Sequence, residues 1–236
     1  MSKSKSIKSS TNSTPGGGSE AGETNAAPVK RETQDKTESY RVAGFDLALK
    51  HFAVRGEHWS EEGVQPLIFE LVNFELKSVN RELLMTIVEY LDRFDWSEYD
   101  CVVIEGQIAF IRGFGGAAIA NAKIQQILET YFYCRYPQVE VVIIPSKAKY
   151  PKGVSGQTDA KRKKWAIERM TTIFESRGDT ESLKVMEEAE RLRKKKIDPN
   201  SKADDLADAC LLIIAHLRKL KNFPFQVEEL GGSADE

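Results

Sequence analysis

From residue 39 onward the hydrophobic positions fall into short runs and helical stripes. RVAGFDLA (41–48) reads as a strand, and HFAVRGEHW (51–59) as its hairpin partner after a short turn near Leu49 and Lys50. PLIFELVNFEL (66–76) is a third β-rich run. Leu83, Leu84, Ile87, Val88 and Leu91 then recur at helical spacing within residues 78–95. CVVIEG (101–106) is a short continuous apolar run ending in an acid, the pattern of a buried central strand. GGAAIANAKIQQILETYFYCRY suits a helix with Ile124, Ile127, Leu128 and Tyr131 on one side, and VEVVIIP (139–145) is another buried strand, stopped by Pro145. Ala166, Met170, Ile173 and Phe174 lie i, i+4, i+7, i+8, an amphipathic helix. A polar helix follows from about Thr180 to Lys196, and Asp198, Pro199 and Asn200 break it. The last helix starts near Lys202 with the stripe Leu206, Cys210, Ile213 and Leu217.

The order is three strands, helix, strand, helix, strand, then helices. The first three strands have short links and are expected to be antiparallel; helices separate the later ones, which implies parallel crossovers. The pattern predicts an α/β fold, a mixed sheet of about five strands flanked by helices. Residues 39–222 form this domain. Residues 1–38 are dominated by Ser, Thr and Gly, hold too few apolar residues to offset the entropy of ordering, and read as a disordered tail. Lys3, Lys5 and Lys8 precede any acid, but the first 28 residues contain no Arg and no apolar stripe, which argues against a transit peptide. Residues 223–236 read as a short acidic tail.

Composition is that of an ordinary soluble chain: 41% apolar, 30% charged, net charge −2 over 236 residues. No run approaches 18 apolar residues, so no membrane helix is expected, and no apolar segment near the start suggests a secretory signal. Cys101, Cys134 and Cys210 are odd in number and widely spaced among apolar neighbours, and read as buried reduced thiols of an intracellular, reducing compartment. No Cys/His set has zinc spacing, so a bound metal would take carboxylate ligands.

Four acids stand in special places. Asp46 interrupts an apolar strand, where a carboxylate is costly unless it is paired or binds a cation. Glu105 ends the strand CVVIEG. Asp205 and Asp208 share a face at i, i+3 in the last helix, and Asp204 is close to it. Acids from two adjacent strands and one helix can converge at a sheet edge, and hard oxygen ligands suit Mg²⁺. Each has a plainer reading: Asp204 and Asp205 favour a helix N-terminus, and Glu105 could pair with Arg112. All four being structural, in this order, is much less expected.

At these residues the chain resembles the RuvC-like Holliday junction resolvases, and most closely the branch of poxvirus, other large DNA virus and fungal mitochondrial enzymes. GFDLALKHFAV, VVIEGQ and KADDLADACL look like that family's three acidic motifs, over roughly Arg41 to Leu217. Leu47 and Ala48 replace the Pro-Gly of the bacterial first motif, and Gly106 replaces a basic residue of fungal members. The resemblance implies an RNase H-like fold and a homodimer. It also implies Mg²⁺ dependence (Mn²⁺ as a substitute) through Asp46, Glu105, Asp205 and Asp208, and paired nicks across four-way or branched DNA. It further implies a viral factory, host nucleus or cytoplasm, or a mitochondrion as location. The family's assisting lysine could match Lys163 or Lys164.

Charge distribution points the same way. Residues 145–203 hold 16 Lys plus Arg against 9 Asp plus Glu, a local +7. Lys161, Arg162, Lys163 and Lys164, with Lys194 and Lys195, are candidate phosphate contacts; solvated helix faces are the plainer reading. Phe110, Phe114 or Trp165 could stack on opened bases, though each suits ordinary packing. YFYCRY (131–136) and the 78–95 helix are candidate dimer faces. Another RNase H-like nuclease acting on RNA–DNA hybrid or branched DNA is the main alternative. A non-catalytic junction binder would have no reason to gather carboxylates, and an actin-like ATPase would need Gly-rich phosphate loops that FDLALK lacks.

Overall fold

A computed structural model describes residues 39–49, 51–74, 79–107, 116–198 and 200–228. Its strands are β1 (Ser39–Leu47), β2 (His51–Ser60), β3 (Gly63–Asn73), β4 (Cys101–Gly106) and β5 (Glu140–Pro145). They form one sheet in the order β3-β2-β1-β4-β5. β1 pairs antiparallel with β2 and β2 with β3, whereas β1–β4 and β4–β5 are parallel, as the connection lengths require. The helices are α1 (Arg81–Leu91), α2 (Gly116–Arg135), the single turn α3 (Lys152–Ser155), α4 (Asp159–Arg177), α5 (Thr180–Lys194) and α6 (Ala203–Leu217).

Side chains alternate across a strand, so β1 feeds two different cores. Ala43, Phe45 and Leu47, with Val102 and Ile104 of β4, meet Leu83, Ile87, Ile124, Leu128 and Phe132 of α1 and α2. Val42, with Cys101 and Val103, meets Leu212 and Ile213 of α6 on the other face. Ala166, Met170, Ile173 and Phe174 of α4 bury against Leu206, Cys210 and Leu211 of α6, so α4 packs outside the sheet-bound helix. Gly44 lets α6 lie close: a Cβ there would stand 2.3 Å from the Ala209 carbonyl oxygen.

Helix limits follow from capping. Asn80 accepts the Leu83 N–H at 3.0 Å, so α1 starts at Arg81, just ahead of its apolar stripe. It ends at Leu91 because Trp96 folds into the core and donates its indole N–H to the Leu91 carbonyl at 2.8 Å. Gly178, at φ 68°, closes α4 in the left-handed conformation, and Asp179 caps α5 through Ser182 N–H at 3.0 Å.

Some expectations change. Cys101 and Cys210 are buried, but Cys134 is exposed because it falls outside the core stripe of α2. Phe223, Phe225 and Val227, placed in the tail by composition, pack against the α6 side of the sheet, and Glu228 pairs with Arg177. Residues 1–38 and 229–236, with Phe110, Arg112 and Phe114, lie outside the described residues. Among the described residues, no helix is long and apolar enough to cross a membrane.

Candidate active site

β1 and β4 lie side by side, and their register ends at Phe45 opposite Ile104. The next residue on each strand is an acid, Asp46 and Glu105, and strand alternation turns both toward α6. The first turns of α6 cross that end of the sheet and bring Asp208 to them. The three carboxylates share one cation. Lys149 Nζ lies 3.3 Å from Asp46 Oδ1, 3.3 Å from Glu105 Oε1 and 2.7 Å from Asp208 Oδ2, and the lysine is 2% exposed. Lys149 ends the 3-10 turn Ser146–Lys149 that follows β5. Tyr150 donates its hydroxyl to Asp208 at 2.9 Å.

The electrostatics are those of crowded acids. Burial pushes the Asp46 carboxyl well above its ordinary range, against the pull of Lys149, with the charges of Glu105 and Asp208 pushing the same way. Burial acts on Glu105 too, but a hydrogen bond from Asp46, the Lys149 charge and Ser146 together hold it down at about 2. The two side chains share a hydrogen bond and titrate as a pair in which Asp46 is the weaker acid. Burial also raises Asp208. Lys149 stays charged: burial opposes its ammonium, and the three carboxylates outweigh it.

Asp205 stands beside this group rather than in it. Its Oδ2 is buried and has no hydrogen-bond partner; Lys202 is 3.6 Å away. Burial lifts its carboxyl to about 6, opposed by Lys202 and reinforced by Asp204 and Asp208. Asp204 points elsewhere. It is buried between Lys163 Nζ at 3.1 Å and Arg193 Nη1 at 3.2 Å, where α4, α5 and α6 meet.

Lys149 was not singled out in the sequence, and the two lysines that were, Lys163 and Lys164, lie away from the three carboxylates. Lys163 is held by Asp204, and the exposed Lys164 is 3.5 Å from Glu168 one turn on. The available signal was position: a lysine directly after β5, at the edge where the acid strands end.

The basic tracts lie on α4 and α5. Arg162 bonds the Gln157 carbonyl at 2.7 Å and Asp159 at 3.2 Å, and its guanidinium lies 6.0 Å over the Tyr150 ring. Lys161 and Lys195 are exposed, and Lys194 pairs with Glu190 at 2.7 Å. Between the two helices is a cavity of about 590 Å³ lined in part by Lys163, Lys164, Arg193 and Lys194. Trp165 is half-buried, its ring edge-on to Tyr150 at 5.9 Å.

The same fold is found in the Fowlpox virus resolvase, solved in complex with substrate Holliday junction DNA. The TM-score is 0.52 at 17% identity, over 77% of this chain and 99% of that one. The chain carries the fold of the viral resolvase. The five-stranded mixed sheet is thus the RNase H-like one expected from the sequence. Weaker likenesses include the Thermus thermophilus RuvC in complex with Holliday junction substrate (TM-score 0.39, 17% identity, 75% and 95% covered) and the yeast mitochondrial Holliday junction resolvase (0.39, 14%, 73% and 77%). No family model matches the chain, and no curated protein matches it.

Among the described residues, no three His, Cys, Asp or Glu side chains are already drawn together as a metal cage. The donor set nevertheless fits a hard divalent cation. All four acids offer oxygen, three of them already converge on a positive charge, and the buried Asp205 Oδ2 accepts no hydrogen bond.

Proposed function

We propose that this protein is a structure-specific endodeoxyribonuclease that resolves four-way DNA junctions by paired nicks. The observation that carries the reading is the convergence of Asp46, Glu105 and Asp208 on Lys149, with Asp205 alongside, in a fold shared with a viral resolvase. Asp46, Glu105, Asp205 and Asp208 would hold Mg²⁺, or Mn²⁺ in its place. Such ions supply charge stabilisation for the attacking and leaving oxygens of phosphodiester hydrolysis. The chain's own residues arrange the site. Tyr150 fixes the Asp208 carboxylate and Ser146 the Glu105 carboxylate, while Lys149 limits repulsion among three buried acids. Among the described residues no Ser/His or Cys/His pair points to a covalent intermediate.

Exposed Lys161, Lys164, Lys194 and Lys195, with Arg162 beside Tyr150, supply phosphate contacts that position the DNA without reading sequence. Lys163 contributes indirectly through its bond to Asp204. Two symmetric cuts need two sites, so the working form is a C2 homodimer. The apolar groove between α1 and α2, lined by Leu84, Val88, Ile127 and Tyr131, is the face we assign to it.

The test is cleavage of an end-labelled four-way junction with Mg²⁺, mapping both nicks, beside matched duplex DNA and an RNA–DNA hybrid. Symmetric nicks in opposing strands of the junction are expected. Preferential cutting of the hybrid by a monomer would replace this reading with an RNase H-type activity.

A further inference from the structure

The β1–β4 register ends at the acids. The last register pair is Phe45 with Ile104. Beyond it Asp46 is opposite Ala53 of β2, and Glu105 is opposite Ile144 of β5. Past the acids no β1–β4 register pair ties the two segments that follow them, Leu47 to Leu49 and Gly106 to Gln107. One helix reaches both of these segments. On the face away from the carboxylates, α2 carries Asn121, Gln125 and Glu129 at i, i+4, i+8, a half-buried polar stripe beside its core residues Ile124, Leu128 and Phe132. Asn121 Oδ1 accepts the Leu49 N–H at 3.0 Å, three residues past Asp46. Gln125 Oε1 accepts the Gln107 N–H at 2.7 Å, two residues past Glu105. Gln125 Nε2 donates to Glu129 Oε1 at 2.7 Å, which fixes the orientation of the amide.

We propose that Asn121 and Gln125 are positioning residues that set the Asp46–Glu105 spacing, with Glu129 locking Gln125 in the accepting orientation. The proposal rests on the nuclease reading for its consequence, because only there does that spacing govern divalent-cation binding and rate. None of the three side chains touches the carboxylate cluster. They act on main-chain N–H groups, and one rigid helix holds both segments. The chemistry of each position is specific. Position 121 needs only an acceptor, so Asp would serve. Position 125 needs an acceptor toward Gln107 and a donor toward Glu129, so a carboxylate there would face the Glu129 carboxylate. Exchanging the two groups, Gln125→Glu with Glu129→Gln, recreates both bonds: the Gln107 N–H still donates to position 125, and the bond between 125 and 129 is reversed.

The experiment uses the full chain and four variants: Asn121→Asp, Gln125→Leu, Gln125→Glu, and Gln125→Glu combined with Glu129→Gln. Three readouts are taken: amide hydrogen exchange at Leu49 and Gln107, Mn²⁺ binding by calorimetry, and kcat and KM on a four-way junction. Gln125→Leu and Gln125→Glu are expected to speed exchange at Gln107, weaken Mn²⁺ binding about 10-fold and lower kcat by about 10-fold, with KM changed less than about twofold. Asn121→Asp and the exchanged pair are expected to stay near wild type. Faster exchange with unchanged Mn²⁺ affinity would overturn the proposal and reduce the stripe to loop anchoring. Failure of the exchanged pair to restore Mn²⁺ binding would overturn it as well. If the wild type leaves junctions uncut while Mn²⁺ binding still follows the pattern, the function assignment falls and the positioning role stands.

Discussion

Two clusters of buried charge lie on the same face of the sheet, and they are built on opposite plans. In the first, Arg55 of β2 bonds Glu57 at 3.0 Å, Asp179 at 2.9 Å and Ser182 at 2.6 Å, stacked between the rings of Phe69 and Phe174. Arg177 bonds Glu57 at 2.8 Å and also holds Glu228, and Trp59 donates to the other oxygen of Glu57 at 2.9 Å. Burial pushes Glu57 up, but Arg177 and Arg55 overcome it and hold the carboxyl below its ordinary range. In the second cluster three carboxylates share Lys149, and burial keeps Asp46, Asp208 and the adjacent Asp205 above their ordinary range. The first cluster satisfies itself and cements β2 to the α4–α5 elbow. The second is short of positive charge. Both are buried, so it is the larger deficit, one ammonium for three carboxylates against two guanidiniums for three, that sets the proposed site apart.

The contrast can be broken most severely at the second cluster. Asp46→Asn, Glu105→Gln or Asp208→Asn should each lower junction cutting more than about 100-fold while leaving junction binding intact, read by gel-shift beside a cleavage assay. Retained nuclease activity in all three would remove the site assignment. Arg55→Met acts on stability instead. It takes from Asp179 its guanidinium and from Glu57 one of two, and is expected to cost about 3–5 kcal/mol in denaturant titration.

Lys149→Met sharpens the comparison. It leaves three acids without their shared ammonium, so the melting temperature should fall and millimolar Mn²⁺ should restore much of the loss. No such rescue is expected for Arg55→Met, because both of its acids face guanidinium sites that a small cation cannot span. The smallest effect concerns pH. The folded carboxyl of Glu57 titrates below the unfolded one, so between those two values the unfolded chain binds more protons and stability rises with pH. Its contribution is complete above the unfolded value and is lost as pH falls through the folded one. Glu57→Gln should flatten that part of the acid limb in melting curves taken from pH 5 downward; an unchanged limb would show that Glu57 contributes nothing there.

The sheet and helices were legible because each element carries a period that its burial demands: the unbroken CVVIEG for a strand covered on both faces, and Met170, Ile173 and Phe174 for a helix covered on one. The acids were legible because a carboxylate inside an apolar run is conspicuous. Lys149 was not. It sits in PSKAKYP, between two prolines and outside any periodic element, so only the folded chain shows which of its lysines turns inward. Arg55 and Glu57 were hidden for another reason. At i, i+2 in β2 they share a face, and a strand at the edge of the first hairpin reads equally well with that face in water. The position of Asp204 between two helices also depends on packing that spacing cannot supply.

Gly44 sets a dimension on which the whole site depends. It lies two residues before Asp46, and the Ala209 carbonyl that crowds it follows directly on Asp208. The gap between the strand acid and the helix acid is thus gauged by main chain resting on main chain. A gauge of that kind is indifferent to drift among neighbouring side chains such as Val42 or Ile213, which can exchange for others of similar bulk without moving the carboxylates. Its tolerance is less than one methyl group, so substitution of this residue would be transmitted to the site as a change of width rather than of composition.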